Sequence, residues 1–355
     1  MFVRALTRKA AAVTAVSALG ITALSACSFV TEEGEASGTS EHVVLLTHGD
    51  FYLPEDLTET FEADTGYVLD VRPSDGVGDL ANLVADEAGK PSGDVVFGVD
   101  STFASRVLEA GAVAPFAGEL PDGVADYALA GDDDGALVGV DSGNVCVNVD
   151  TAWFDAEGMT PPTTFADLTE PAYRGLFAIP GASTSSPGMA FLLGTIAEFG
   201  DDWSNYWADL MANDALVVNG WSDAYNVEFT AGEGGGDRPI VVSYDSSPAF
   251  TVADGATGTA ALLDTCVRQV EYAGVLEGAD NPEGAADLVE FLVSQEVQAA
   301  LPESMYVFPT RAGVELPTDW ATFAQRPSDP LMVDPAEIEA NREDWLLEWT
   351  DVVSR

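Results

Sequence analysis

Positive charge is what this chain has least of. Lysine and arginine together number 13 against 60 aspartates and glutamates, a net charge of −47, and beyond Lys9 the sole lysine is Lys90. Such a surface repels polyanions, which argues against nucleic acid or anionic headgroups as partners, and draws cations from a distance. Adaptation of a surface protein to salt explains the same imbalance equally well. Histidine is almost missing: His42 and His48 are the only two. A Ser-His-Asp set is therefore confined to the neighbourhood of His48, and no nucleophile with a base and an orienting partner can be assembled, so the chain does not read as an enzyme. The three cysteines form no CxxC, and metal binding finds little support. After the first 26 residues no apolar run is long enough for a membrane span.

What is there begins with a leader. Arg4, Arg8 and Lys9 precede a small-residue apolar stretch from Ala10 to Ala23, followed by Leu24-Ser25-Ala26-Cys27. A basic start, a short apolar region and small residues before a cleavage point read as an export signal. Leu-Ser-Ala-Cys resembles the lipobox of bacterial lipoproteins, which implies cleavage before Cys27 and acylation there. Residues 1–26 are then the signal peptide and 27–41 the lipidated cysteine with a Ser/Thr/Gly/Glu-rich tether. The expected location is the outer face of the cytoplasmic membrane.

The remaining 42–355 is too long for one ordinary core, so two lobes are expected. Short apolar strands alternate with amphipathic helices: strands at 43–47, 68–72 and 94–99, helices at 55–64, 79–87 and 101–110, the last with Ser101 as N-cap. A long β-rich run, 137–150, suits a crossing between lobes. A second α/β set follows, with strands at 177–179, 216–218 and 240–244, a helix at 188–199, a return crossing at 266–272 and helices at 281–294 and 335–353. The expected fold is an α/β, two-lobed clamp with hinge crossings. Its first lobe is 42–140 plus 266–304 and its second is 141–265 plus 305–355. Cys146 and Cys266 sit in apolar runs and are equally readable as a disulfide or as two buried thiols. Asp132–Gly135 lacks the spaced ligands of a calcium loop, and Gly232–Gly236 reads as a flexible loop.

In α/β sheets ligands sit beyond the carboxyl ends of strands. The loops there carry aromatics and short polar groups: His48, Asp75, Gly76, Ser185, Ser186, Trp221, Tyr225, Tyr244, Phe250 and Tyr306. Aromatic faces with a carboxylate suit a flat cation, at roughly 0.5–2 kcal/mol per ring once water is excluded. Ser185-Ser186-Pro187-Gly188 opens a helix, where hydroxyls and free N–H groups hold an anion. For any one of these aromatics core packing is the commoner role, and for the serines a plain N-cap is as good a reading.

In order along the chain, THGDF (47–51), SDGVGDL (74–80), DVVFGVD (94–100), STSSPGMAFLL (183–193), NGWSDAY (219–225), SYDSSPAF (243–250), MYVFPT (305–310) and NREDWLLEWTDVVSR (341–355) closely resemble the periplasmic thiamine-binding proteins of bacterial ABC importers. The resemblance implies a type II periplasmic-binding-protein clamp that binds thiamine, and thiamine mono- or pyrophosphate as further candidates. It implies Trp221 stacking on the thiazolium, Asp75-Gly76 bonding the aminopyrimidine, and Ser185, Ser186 and Tyr244 at the hydroxyethyl or phosphate end. His48 stands where the family has a tyrosine, Phe250 replaces another tyrosine, and Tyr306 replaces a tryptophan. No cofactor is expected beyond the carried ligand. The expected partners are ABC permease subunits and, through Cys27, the membrane, with the protein acting as a monomer. A ferric ion or a polyamine is the alternative cargo.

Overall fold

The computed structural model describes residues 41–355; the leader, Cys27 and the tether lie outside them. Continuous apolar runs give buried strands and helical-period runs cover them. The first set is β1 (His42–His48), α1 (Glu55–Thr65), β2 (Val68–Ser74), α2 (Val77–Asp86), β3 (Val95–Asp100) and α3 (Ala104–Glu109). Then comes β4 (Val138–Asp150), thirteen residues and every one buried. The second set is α4 (Thr151–Glu157), β5 (Phe177–Pro180), α5 (Ser186–Phe199), α6 (Trp203–Ala212), β6 (Leu216–Val218) and β7 (Ile240–Tyr244). Short strands β8 (Val252–Ala253), β9 (Ala256–Thr257) and β10 (Thr259–Ala261) lead to β11 (Val267–Val275). The chain closes with α7 (Pro282–Leu292), α8 (Gln295–Ser304), β12 (Phe308–Pro309), α9 (Thr318–Phe323) and α10 (Pro335–Val353). None of these helices is long and apolar enough to cross a membrane.

One sheet runs β2-β1-β3-β11-β4-β7-β5-β6. Its flanks, β2-β1-β3 and β7-β5-β6, are parallel triplets. Between them β11 and β4 run antiparallel to each other and to their neighbours. The pairing halves decide where the ligand side lies. The carboxyl end of β3 meets the middle of β11, Asp100 opposite Glu271, and that of β7 meets the middle of β4, Tyr244 opposite Val145. Both triplets thus aim their carboxyl ends at the same central ribbon.

Cys146 on β4 and Cys266, just before β11, form a disulfide across 120 residues of sequence. Sequence left that open; the register settles it, because Val145 lies opposite Val267. The last helix packs on both sets: Trp349 lies edge-on to Trp207 of α6 at 5.7 Å, while Arg342 sits 4.9 Å over Phe103 and bonds the Thr102 carbonyl.

Three local expectations need correction. The helix expected from Ser101 starts at Ala104. Asp100 Oδ1 accepts the Thr102 N–H (3.0 Å) and hydroxyl (2.6 Å), and the Ser101 hydroxyl accepts the Val270 N–H (3.0 Å), so that turn is committed to a side-chain cap of its own. The helix expected from Gly188 starts at Ser186, with Pro187 in its first turn, where a missing N–H costs nothing. Gly232–Gly236 is packed against a π-helical turn, Asp223–Glu228; a Cβ at Gly236 would fall 2.1 Å from the Glu228 carbonyl.

Candidate functional site

The carboxyl ends of both triplets enclose a cleft of about 390 Å³, within the range of small-molecule sites. Eight of the ten sequence-selected residues line it: His48, Asp75, Gly76, Ser185, Ser186, Trp221, Tyr244 and Tyr306. The other two do not. Tyr225 is buried beneath Trp221, ring on ring at 5.1 Å and 11°. Phe250 is 41% exposed and packs edge-on against Tyr306 (4.3 Å) and Trp320 (5.5 Å), outside the cleft. A strand-end position alone does not separate these roles.

Trp221 follows β6 and immediately precedes the π-helical turn. Tyr225 covers one indole face, and Nε1–H donates to Ser243 Oγ at 2.9 Å, so the ring is held in place with its other face toward the cleft. Burial pushes the Tyr225 hydroxyl up to about 12. Tyr244 ends β7 with its ring over Gly143 and tilted 6.4 Å from Trp221. Burial, then Glu271, Asp100 and other carboxylates, hold its phenol well above the ordinary value, and it stays neutral. Tyr306 sits on the rim, 46% exposed, in left-handed backbone at φ 63°.

His48 ends β1 and is buried. Gly98, itself at φ +94°, leaves the space it needs: a Cβ there would lie 2.2 Å from the imidazole Cδ2. Its Nε2 is 3.3 Å from Glu271 Oε1. Burial disfavours the imidazolium, but Glu271, with Asp50 and Asp100 behind it, outweighs that and raises its pKa overall. Any charge on His48 is therefore matched by a carboxylate rather than left facing the ligand.

The floor holds what sequence selection missed. Glu271 on β11 pairs in register with Asp100 on one side and Asp141 on the other, with a β-bulge against β3 just after Glu271-Tyr272 and another against β4 between them. Three carboxylates thus stand in a row across three adjacent strands, an arrangement unfavourable in the absence of a cation. Asp141 is 1% exposed and neither of its oxygens has a hydrogen-bond partner. Burial and the Glu271 charge raise it well above the carboxylate range. Burial also pushes Asp100 up to about 7, with the Thr102 bonds pulling the other way. A signal existed: Asp141 and Glu271 are acids inside apolar strand runs, LVGVDSG and VRQVEYAG. Of the three, Glu271 and Asp141 line the cleft and Asp100 lies buried behind them; Asp50, Asn219, Asp223 and Gln269 line it as well, and no lysine or arginine does. Among the described residues, no group of three or more His, Cys, Asp or Glu side chains is disposed to hold a metal ion.

Aromatic faces, an acidic floor and a wall without lysine or arginine suit a flat organic cation. Comparison with known proteins points the same way. The family model described as bacterial extracellular solute-binding protein matches residues 90–328. The thiamine-binding periplasmic protein of Escherichia coli is 29% identical over 306 residues, covering 84% of this chain and 88% of that protein. A solved periplasmic thiamin binding protein superposes with a TM-score of 0.77 at 27% identity, covering 88% of this chain and 96% of that one. Iron-bound HitA from Pseudomonas aeruginosa shares the fold at 19% identity, with a TM-score of 0.69.

Proposed function

The chain belongs to the bacterial extracellular solute-binding proteins, and we propose that it captures thiamine in this cleft and delivers it unaltered to the permease of an ABC importer. The observation that carries the proposal is the Trp221 face, backed by Tyr225, in a cleft that is also lined by Asp141, whose oxygens have no hydrogen-bond partner. A positively charged thiazolium gains from the indole quadrupole, and the acidic row gains a cation beyond His48. Asp75-Gly76 reaches across toward the second triplet, where a Cβ on Gly76 would stand 3.4 Å from the Thr184 carbonyl, so a ligand here touches both sides at once. On this proposal residues 42–140 with 266–304 form one lobe, 141–265 with 305–355 the other, and β4 and β11 are the crossings. Ligand closes the clamp by binding the closed form more tightly than the open one.

Titration calorimetry of the purified protein tests this. Thiamine is expected to bind with one site and to be recovered with its mass unchanged. Tighter binding of ferric citrate or putrescine, or conversion of the vitamin, would sink the proposal. A ferric ion is the weaker cargo because the cleft offers Tyr244 with a raised hydroxyl pKa and only one further phenol, the exposed Tyr306.

Tyr306 gives a smaller prediction. Its left-handed backbone favours glycine, by about 1 kcal/mol. Tyr306→Gly is therefore expected to raise the melting temperature of the ligand-free protein slightly while weakening thiamine binding several-fold. A variant that binds as tightly as the parent would remove Tyr306 from the ligand's surroundings.

Lipid anchoring at Cys27 belongs to the same proposal, with the protein held as a monomer outside the cytoplasmic membrane. Cys27→Ala is expected to move the protein from the membrane fraction to the soluble fraction and to abolish labelling by a radioactive fatty acid. Unchanged membrane retention would reject it.

A further inference from the structure

We propose that Asp141 makes this cleft selective for a permanent positive charge: in the empty cleft its carboxyl shares a proton with Glu271, and an arriving cationic ring displaces that proton to solvent and becomes the counter-charge. The proposal rests on thiamine being the ligand. It adds the residue that reads the ligand's charge and a proton given up on binding.

The geometry leaves Asp141 little choice. It stands on β4 directly opposite Glu271 of β11, and both side chains line the cleft although Asp141 is only 1% exposed. No N–H or O–H group donates to either of its oxygens. The polar side chain it meets is Glu271, whose charge and side-chain hydrogen bond both favour the protonated form of Asp141. Two acids form a hydrogen bond only when one of them carries a proton, and like charges at that distance do not both ionise. Asp141 is the one that carries it. Glu271 is already met by His48 Nε2 at 3.3 Å, whereas no ion pair reaches Asp141 among the described residues.

The surroundings add no cation. Asp100, buried beyond Glu271 on β3, and Asp50 on the wall are further acids, and Tyr244 at the end of β7 stays neutral. Arg326 bonds the hydroxyl of Ser142, which strand alternation puts on the opposite face of β4.

A quaternary ring nitrogen changes this balance because its charge is fixed and it has no proton to lose. Held in the cleft, it favours the ionised form of Asp141. The carboxyl O–H bond breaks, its electron pair stays on the oxygen and the proton passes to buffer. A neutral ring of the same shape leaves the proton where it is. Binding of the cation therefore strengthens as pH rises while the empty site still holds the proton, by at most roughly tenfold per pH unit for one proton, and levels off once the empty site has lost it.

Calorimetry of the purified protein from pH 6 to pH 8, in buffers of low and high protonation enthalpy, is the test. Thiamine is titrated beside its deaza analogue, in which a carbon replaces the quaternary nitrogen. Thiamine is expected to release a proton on binding, and the analogue to release none and to bind at least tenfold more weakly at pH 8. Equal enthalpies for thiamine in both buffers at every pH overturn the proposal while leaving thiamine as the ligand, and so does an analogue bound within threefold of thiamine. Failure of thiamine to bind removes the cargo and this proposal with it. Asp141→Asn keeps the shape without the titrating proton, so proton release should disappear and the thiamine-to-analogue ratio should narrow at least threefold. A folded variant that releases protons as the parent does rejects Asp141 as their source, and an unchanged ratio rejects it as the reader of charge. The two measurements on the parent protein decide even where that variant fails to fold.

Discussion

Trp221→Ala is expected to weaken thiamine binding about 30-fold, ~2 kcal/mol, while the ligand-free protein keeps its fold. The size follows from how the ring is held. Tyr225 stacks at 5.1 Å on one side and the indole N–H is bonded to Ser243, so the free face is presented without further ordering when ligand arrives. Removing it takes away a preorganised cation–π surface rather than a mobile side chain. The fold survives because Trp221 is only half-buried and packs on the periphery of a small cluster around Phe229. Trp221→Phe keeps an aromatic face but drops the bond to Ser243, so its loss is expected to be only a few-fold. Calorimetry on both variants, with melting curves to verify folding, is the check. Binding within threefold of the parent in the alanine variant would exclude Trp221 from the ligand surface.

The second large effect is on stability. The ligand-free protein should melt several degrees higher at pH 5 than at pH 8. Asp100 titrates at about 7 when folded and near 3.8 when unfolded, chiefly because burial disfavours its charge. Between those values the folded state binds more protons than the unfolded one, so stability falls as pH rises through the window, by about 1.4 kcal/mol per unit for one such group. Asp141 shifts in the same direction for the same reason, with Glu271 adding to it. His48, raised by Glu271 against the burial penalty, also contributes stability at low pH that is lost as pH rises through its folded value. The net charge of −47 pushes the same way. Thiamine, a cation, should offset the acidic row and raise the melting temperature more at pH 8 than at pH 5. Asp141→Asn should flatten the profile. Scanning calorimetry at both pH values, with and without ligand, decides; a protein that melts lower at pH 5 contradicts the placement of these acids.

How much of this was legible beforehand differs by element. Strands 216–218 and 240–244 and helix 335–353 match their expected bounds, because the strands are short β-branched runs and Asp334, capping the Ala336 N–H ahead of Pro335, marks the helix start. Helices α4, α6, α8 and α9 went unread. For α6 the signal was present: Trp203, Tyr206, Trp207 and Leu210 are all buried and fall at helical spacing. The α3 start was misplaced because Asp100, a residue outside the helix, captures the turn that Ser101 was expected to cap. In the site, the aromatics were visible by type and strand-end position, but that rule cannot tell Trp221, which faces the cleft, from Phe250, which faces Trp320. The acidic floor was invisible as a group.

Residue type and local period alone determined that this chain is an α/β protein carrying aromatic side chains on its strand-end loops under a large negative charge, since those properties depend on near neighbours along the chain. Tertiary structure alone decided that Asp100, Glu271 and Asp141, up to 171 residues apart in sequence, stand in one row, and that Cys146 meets Cys266. Strand register is the reason. A slip of one residue would turn each acid to the opposite face of the sheet, and register is fixed by the whole sheet's packing rather than by any segment of it.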